Sequence, residues 1–295
     1  MRPAICVLFL CLSAALPGDG SADAAAPTMG DVLAASTADD WYTIPRSETL
    51  YLTLPQGEVV MMLAPQFAPA HIANLRKLVQ AGYFGNAAIL RSQDNYVVQW
   101  SSPGAGDGEL PGGAARRLAP EFYRDAAGLD FVPLASRDAY ARSVGFADGF
   151  AVGRDGRHGR AWLLHCYGAL GAGRASEPDS GNAAELYVVT GHAPRHLDRN
   201  VTLLGRVIDG MQYLSSLPRG SGALGFYEHE DEYVPIRSLR FANDADAAWQ
   251  VLKTDTATFK ALVAARRHRA EDWFVDPADA IGVCNVPLPA RKLSP

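Results

Sequence analysis

The stretch that decides the fold is GYFGNAAILRSQDNYVVQW, residues 82–100. It contains two apolar runs of strand length, Ala88 to Arg91 and Tyr96 to Trp100, which predict two β-strands. Just before it, apolar residues recur at helical spacing from Ile72 to Val79, and this pattern stops at Gly82. The stretch therefore predicts an amphipathic helix that covers a β-rich core.

Strand patterns continue on both sides of this stretch. Residues 48–54 alternate with leucines on one face, and residues 59–63 follow a Pro-Gln-Gly turn, which predicts a hairpin. A second short helix is predicted over residues 209–217, ahead of Pro218. Further strands are predicted over residues 161–167, 185–190, 202–208 and 236–241. This pattern predicts a mainly β protein, a closed antiparallel barrel covered by two helices. Its ligand is expected in a surface groove, because small barrels fill their interior with side chains.

Charge and the N-terminus bear on partners and location. The 27 basic and 32 acidic residues form no basic patch in the sequence, which argues against a nucleic-acid partner. Arg2, the apolar run of residues 4–16 and the small residues near 22–24 predict a signal peptide over residues 1–24. We therefore expect an exported protein, periplasmic or secreted. Because no later run reaches 18 apolar residues, we expect no membrane span in the mature chain.

The rest of the chain divides into three parts by composition. Residues 25–46 are predicted to be a flexible leader, and residues 47–242 the barrel domain. Within that domain, residues 101–160 are rich in Gly, Pro and Arg, which predicts insertions or long loops. Residues 243–295 are predicted to be a C-terminal extension, helical near residues 258–269.

Two cysteines, Cys166 and Cys284, remain once a signal peptide is removed. In an oxidising compartment they could form one disulfide. They could equally be a buried strand cysteine and an unrelated cysteine near the tail, since sequence fixes no distance. The sequence leaves both interpretations open.

Several groups of residues occur in a characteristic order. GYF (residues 82–84), ILR (89–91) and YVVQ (96–99) come first, and two longer segments, 182–191 and 196–211, follow. An eight-residue step separates the arginine of the second group from the glutamine of the third. In order and spacing, these groups resemble the cyclophilin-type peptidyl-prolyl cis/trans isomerases. The resemblance implies an eight-stranded antiparallel barrel capped by two helices. It also implies isomerisation of X-Pro bonds in proline-containing polypeptides, without a cofactor.

The resemblance assigns the chemistry to Arg91 and Gln99. Rotation about an X-Pro bond must break amide resonance, a barrier of about 18–20 kcal/mol. A guanidinium that donates a hydrogen bond to the prolyl nitrogen, as that atom becomes pyramidal, favours the twisted state over the planar one. We therefore expect Arg91 to be catalytic, and Gln99 to orient it and to bind the substrate backbone.

The resemblance also implies a groove that takes the proline ring. Tyr187 stands in place of the family's usual phenylalanine, and Glu185 in place of a glutamine. His196 stands where an aromatic residue is common. The substrate-binding residues that it implies are Tyr96, Val97, Glu185, Tyr187, His196, Leu197 and Val201.

Two points stay open at the level of sequence. A strand over residues 163–168 is expected to pair with the substrate, but His165, Cys166 and Tyr167 are all candidates for the position of the family's asparagine. The departures from the family's groove residues also support a second hypothesis. Under it, the chain is a catalytically weak cyclophilin-fold module that binds peptides or acts as a chaperone.

No metal site is predicted. The pair His229-Glu230 lacks the second histidine of a zinc-binding helix. His192 and His196 flank Ala193-Pro194, where a proline disfavours the helix that would bring two histidines to one face.

Overall fold

The computed structural model describes residues 26–103, 108–269, 271 and 273–293, so the predicted signal peptide lies outside it. Within these ranges the helices are α1 (Met29–Ala34), α2 (Pro69–Gln80), α3 (Met211–Ser215) and α4 (Ala257–His268). None of these helices is long and apolar enough to cross a bilayer. The strands in the same ranges are β1 (Trp41–Thr43), β2 (Thr49–Leu54), β3 (Gly57–Leu63), β4 (Ala88–Ser92), β5 (Val97–Ser101), β6 (Arg124–Asp125), β7 (Val132–Pro133), β8 (Ser143–Ala147), β9 (Phe150–Asp155), β10 (Arg160–Leu163), β11 (Ala169–Ala172), β12 (Leu186–Val189), β13 (Leu203–Asp209), β14 (Val234–Pro235), β15 (Ser238–Phe241), β16 (Trp249–Leu252) and β17 (Ala290–Lys292).

Nine strands form one curled antiparallel sheet in the order β14-β4-β5-β12-β11-β13-β3-β2-β15. The edge strands β14 and β15 are consecutive in the chain. The N–H of Ile236 donates to the carbonyl of Ala87 at one end of the sheet, and the N–H of Arg237 donates to that of Thr53 at the other. The helices α2 and α3 pack on this sheet. The predicted mainly β fold with two covering helices is confirmed, and closure into an eight-stranded barrel stays a prediction.

Both faces of the β2–β3 hairpin are buried. The leucines of β2 point into the core beneath α2, as their alternation predicts. On the opposite face, Tyr51, Val60 and Met62 join a second apolar cluster with Phe150 and Val152 of β9. Because successive side chains of a strand point to opposite faces, one hairpin serves two cores.

A second antiparallel sheet, in the order β6-β10-β9-β8-β7, lies within residues 124–163, most of which were predicted to be loops. The turn between β8 and β9 is Asp148-Gly149, whose φ angles are +51° and +80°. This is the positive-φ pair that a two-residue hairpin turn requires. The predicted barrel strand over 161–167 instead contributes β10 to this second sheet. We call residues 108–168 the insertion.

The third sheet, β1-β16-β17, joins the two ends of the described chain. Residues 29–43 form α1 and β1, where the sequence predicts a flexible leader. Strand β1 pairs with β16, and Trp41 is buried against the C-terminal part. A three-residue strand has no local signature, so its pairing with a segment far along the chain could not be predicted. The boundaries of the barrel domain stay a prediction.

A disulfide joins the insertion to the extension, residues 243–293. Cys166 and Cys284 are bonded, with their Cα atoms 5.1 Å apart and a sequence separation of 118. Of the two interpretations left open by the sequence, the structure therefore has the bridged one.

Candidate active site

Arg91 and Gln99 lie side by side on adjacent strands. Strands β4 and β5 are antiparallel neighbours, and beyond a register shift after Ile89, Arg91 pairs with Gln99. The turn between the strands contains Asn95 at φ +52°, a conformation that asparagine adopts more readily than most residues. Nη1 of Arg91 donates to Oε1 of Gln99 over 2.9 Å. The eight-residue step in the sequence thus places a guanidinium beside an amide.

Two further hydrogen bonds and two rings hold the Arg91 side chain. Its Nε donates to the carbonyl of Leu224 over 2.8 Å, and its Nη2 donates to the side-chain oxygen of Gln93. The rings of Phe226 and Tyr96 lie 5.0 Å and 5.5 Å from its Cζ, within cation–π range. An arginine carries five N–H donors, so these bonds leave two for a ligand.

A carboxylate lies behind Gln99. Nε2 of Gln99 donates to Oε1 of Glu185, so a row of hydrogen bonds runs from Arg91 through Gln99 to Glu185. We call these three side chains the groove chain. Burial lowers the pKa of Arg91 against the opposing effect of Tyr96 and Glu185, yet the guanidinium stays charged because its ordinary pKa is so high. Burial raises the pKa of Glu185, and the Gln99 bond and the Arg91 charge oppose that rise.

The groove chain borders a groove of about 280 Å³. Seven of the nine side chains predicted for the site line this groove together. Glu185 instead lines a neighbouring cavity of about 800 Å³. His196 is exposed and stacks on Tyr96, with ring centroids 6.0 Å apart. The substrate contacts of all nine stay predictions. The lining residues are Arg91, Tyr96, Val97, Gln99, Gly173, Arg174, Tyr187, Leu197 and Val201.

Comparison with known proteins identifies the family to which this groove belongs. A family model described as cyclophilin type peptidyl-prolyl cis-trans isomerase/CLD matches residues 49–239, more than half of the chain. This chain belongs to the cyclophilin-type peptidyl-prolyl cis-trans isomerase family. Two relatives named "Probable peptidyl-prolyl cis-trans isomerase", from Brucella suis biovar 1 and Brucella melitensis biotype 1, are each 25% identical to this cyclophilin over 197 residues. The aligned part is 66% of this chain and 81% of each relative.

A solved cyclophilin shares the fold. The crystal structure of cyclophilin AquaCyp293 from Hirschia baltica matches with a TM-score of 0.70 and 21% identity, over 90% of this chain and 97% of that chain. This coverage is wider than that of the family model, so the shared architecture extends to residues outside 49–239. At this level of identity the similarity shows the fold alone.

Sequence analysis did not predict two groove residues of this cyclophilin, Gly173 and Arg174. They follow β11, which lies between β12 and β13. Residues 163–168, which were expected to pair with the substrate, do not line the groove, and neither does any of the three candidates for the asparagine position. The pairing itself stays a prediction. Strand β11 has the sequence Ala-Leu-Gly-Ala. Because glycine is depleted in strands, residue propensities do not predict a strand there. Gly171 is needed there, because a Cβ would lie 2.3 Å from Cζ of Tyr187.

The groove offers little to a metal ion. Among the described residues, no group of three or more His, Cys, Asp or Glu side chains is placed to hold one. No carboxylate is among the residues that line the groove, and Glu185, at the end of the groove chain, is already bonded to Gln99. The groove lining instead combines the N–H donors of Arg91 and Gln99 with the apolar side chains of Val97 and Leu197.

Proposed function

We propose that Arg91 and Gln99 catalyse the cis/trans isomerisation of X-Pro bonds in polypeptides that bind in the groove. The observation that carries this proposal is a charged guanidinium with two N–H donors to spare, fixed at the edge of a groove with apolar walls. The walls come from Val97, Tyr187 and Leu197. A proline ring needs such walls, and its nitrogen needs such a donor.

Arg91 would act on the transition state. As the X-Pro bond twists, the prolyl nitrogen becomes pyramidal and regains a lone pair, which a planar amide nitrogen does not offer. A donor aimed at that lone pair stabilises the twisted state more than either planar isomer, and this difference is what lowers the barrier. No covalent bond is formed or broken, so no nucleophile is needed.

Gln99 would fix the direction of the guanidinium. Its amide oxygen accepts from Arg91, and one of its amide N–H groups donates to Glu185. Its second N–H is left for a backbone carbonyl of the substrate. Because the groove chain is held in place before substrate arrives, little reorganisation is needed during the reaction.

We propose further that this cyclophilin is exported and acts on proline-containing proteins outside the cytoplasm. The predicted signal peptide over residues 1–24 supports this location. The disulfide between Cys166 and Cys284 supports it independently, because such bridges form and persist in oxidising compartments.

A protease-coupled assay on X-Pro tetrapeptides tests the catalytic proposal. We expect wild type to accelerate isomerisation, and Arg91→Ala to lower kcat/KM by about 100- to 1,000-fold, the usual effect of losing a transition-state donor. Arg91→Lys should also be impaired, because lysine lacks the planar fork of donors. The matched control is Arg142→Ala, since Arg142 is an exposed arginine of the insertion, 3.8 Å from Asp155.

Peptide binding without useful turnover is the second candidate function, and one observation favours it. The carbonyl of Leu224 accepts a hydrogen bond from Nε of Arg91, and the Phe226 ring lies against the same guanidinium. The loop over residues 220–226 therefore covers part of the catalytic group. A wild type that accelerates no X-Pro tetrapeptide but binds a proline peptide would establish this function and overturn the catalytic one.

A further inference from the structure

The hydroxyl of Tyr187 is hydrogen-bonded to a buried histidine. Tyr187 lines the groove and is 5% exposed, and its hydroxyl lies 2.8 Å from Nε2 of His165. His165, in the insertion, is fully buried and is not one of the residues that line the groove. The groove therefore has a polar support beneath its aromatic floor.

The polar support continues as a row of buried ionic hydrogen bonds. The backbone N–H and Nδ1 of His165 both lie 3.0 Å from Oδ1 of Asp198. Nε of Arg195 donates to the other oxygen of Asp198 over 2.6 Å. The two Nη atoms of Arg195 donate to both oxygens of Asp138, over 2.8 Å and 2.9 Å. We call His165, Asp198, Arg195 and Asp138 the buried chain.

The chemistry of the buried chain fixes the direction of each bond. Asp198 is paired with Arg195 and can only accept, so Nδ1 of His165 carries the proton. Nε2 of the neutral imidazole is then an acceptor, and the Tyr187 hydroxyl donates to it. Burial lowers the pKa of His165 despite Asp198, and burial raises the pKa of Tyr187 well above its ordinary value, so both groups keep these protonation states.

The same chain also holds the neighbouring wall of the groove. Arg195 and Asp198 belong to it, while the two residues between them, His196 and Leu197, lie at the groove. The short 3-10 turn Arg195–Leu197 and its C-cap Asp198 thus carry two members of the buried chain, with Leu197 of the groove lining and His196 between them. Movement of the buried chain would displace the floor and this wall together.

We propose that His165 is a positioning residue for isomerisation, which fixes the Tyr187 hydroxyl and so the aromatic floor that receives the proline ring. The proposal rests on the proposed function and deepens it. Without an acceptor at His165, the Tyr187 hydroxyl would be buried and unpaired, and the ring would move to satisfy it at the expense of the pocket.

Two replacements of His165 separate the bond to Tyr187 from the bond to Asp198. His165→Asn keeps a donor near the position of Nδ1 and removes the acceptor for Tyr187. His165→Gln reaches the position of Nε2 with an amide oxygen that can accept. We expect His165→Asn to raise KM by about 2- to 10-fold, the equivalent of one hydrogen bond, with kcat changed less than KM. We expect His165→Gln to recover part of this loss.

A double-mutant cycle with Tyr187→Phe completes the test. If His165 acts through the hydroxyl, His165→Asn should change KM little in the Tyr187→Phe background. An equal rise in KM in both backgrounds would mean a general structural role and would overturn the proposal. If His165→Asn does not fold, the Tyr187→Phe variant tests the proposal by itself. An unchanged KM after loss of the Tyr187 hydroxyl would also overturn the role of His165.

The outcome for wild type and Arg91→Ala separates this inference from the function on which it rests. An inactive wild type overturns both. An active wild type that depends on Arg91, combined with an additive cycle, overturns the role of His165 and leaves the proposed function standing.

Discussion

The groove chain and the buried chain both end at the same groove, but they use their polar groups differently. The groove chain lies on the family-matched sheet, is half-buried, and keeps N–H donors without a protein partner for a ligand. In the buried chain, each charged group has an oppositely charged neighbour, and the chain links the sheet to the insertion. Spare donors at an open surface are typical of a group that acts on substrate. Paired charges excluded from water are typical of one that holds a structure in place.

The largest effect is expected from breaking the buried chain at its cation. Arg195→Leu would leave the buried carboxylate of Asp198 and the partly buried carboxylate of Asp138 without their partner. Loss of one member of a buried ion pair typically lowers stability by about 3–5 kcal/mol. Urea denaturation measures this change. The matched control is Arg219→Ala, which breaks an exposed ion pair with Asp94 and should change stability by at most about 1 kcal/mol. Equal effects of the two substitutions would contradict the distinction between the chains.

Removal of the disulfide is expected to have the second largest effect on stability. The disulfide lies beside His165 in sequence and ties the insertion to the extension. Replacing both Cys166 and Cys284 by serine should lower the free energy of unfolding by about 2–4 kcal/mol, because the unfolded chain regains the freedom of a long loop. Wild type in reductant should then show the same midpoint as the double variant. A double variant as stable as oxidised wild type would mean that the sheets hold the extension without the bridge.

Sequence could predict the groove chain because its first two members are close together in the chain. The strand–turn–strand pattern of residues 82–100 sets the register of Arg91 and Gln99 almost by itself. The buried chain has no such local signal. His165 meets Tyr187 and Asp198 only because β10 leaves one sheet and β11 enters another. From the sequence, His165 was therefore only one candidate for the position of the family's asparagine.

The fold divides in the same way. Leucine alternation predicted β2 and helical spacing predicted α2, which are continuous elements of six and twelve residues. Most of the insertion was expected to be loops, because two of its strands, β6 and β7, have two residues each and glycine interrupts two others, β8 and β9. Segments this short are stable only with partners that the local sequence does not show.

A cavity of about 420 Å³ lies where the insertion, the sheet and the extension meet. A substitution in this cavity is expected to have the smallest effect on stability. The lining of the cavity includes Asp148 and Asp130 of the insertion with Glu48 and Asp255. Burial raises the pKa of Asp148, with Asp130 and Asp255 adding to the rise and a hydrogen bond from Gln66 opposing it. This junction therefore holds carboxylates that repel one another, unlike the paired charges of the buried chain.

Asp148→Asn should accordingly stabilise the protein. Because the pKa of Asp148 is raised on folding, wild type loses stability as pH rises from 3.8 through that raised value, and the variant does not. The gain should be absent below pH 3.8 and complete at pH 7. It should stay below about 1 kcal/mol, since Asp148 is only partly removed from water and solvent screens its charge. Asparagine also suits the φ of +51° at this position.

Asp155, at the other end of β9, is the matched control for this pH dependence. Its pKa is lowered chiefly by the hydrogen bond from His158, and the opposing effect of burial is smaller. Its ionised form therefore stabilises the fold above pH 3.8, and that contribution is lost as pH falls through the lowered value. Asp155→Asn should thus be less stable than wild type at pH 7, the reverse of Asp148→Asn. Thermal unfolding of the two variants between pH 3 and pH 8 checks both signs. A shift of the same sign in both would mean that loss of net negative charge, and not the junction, governs stability.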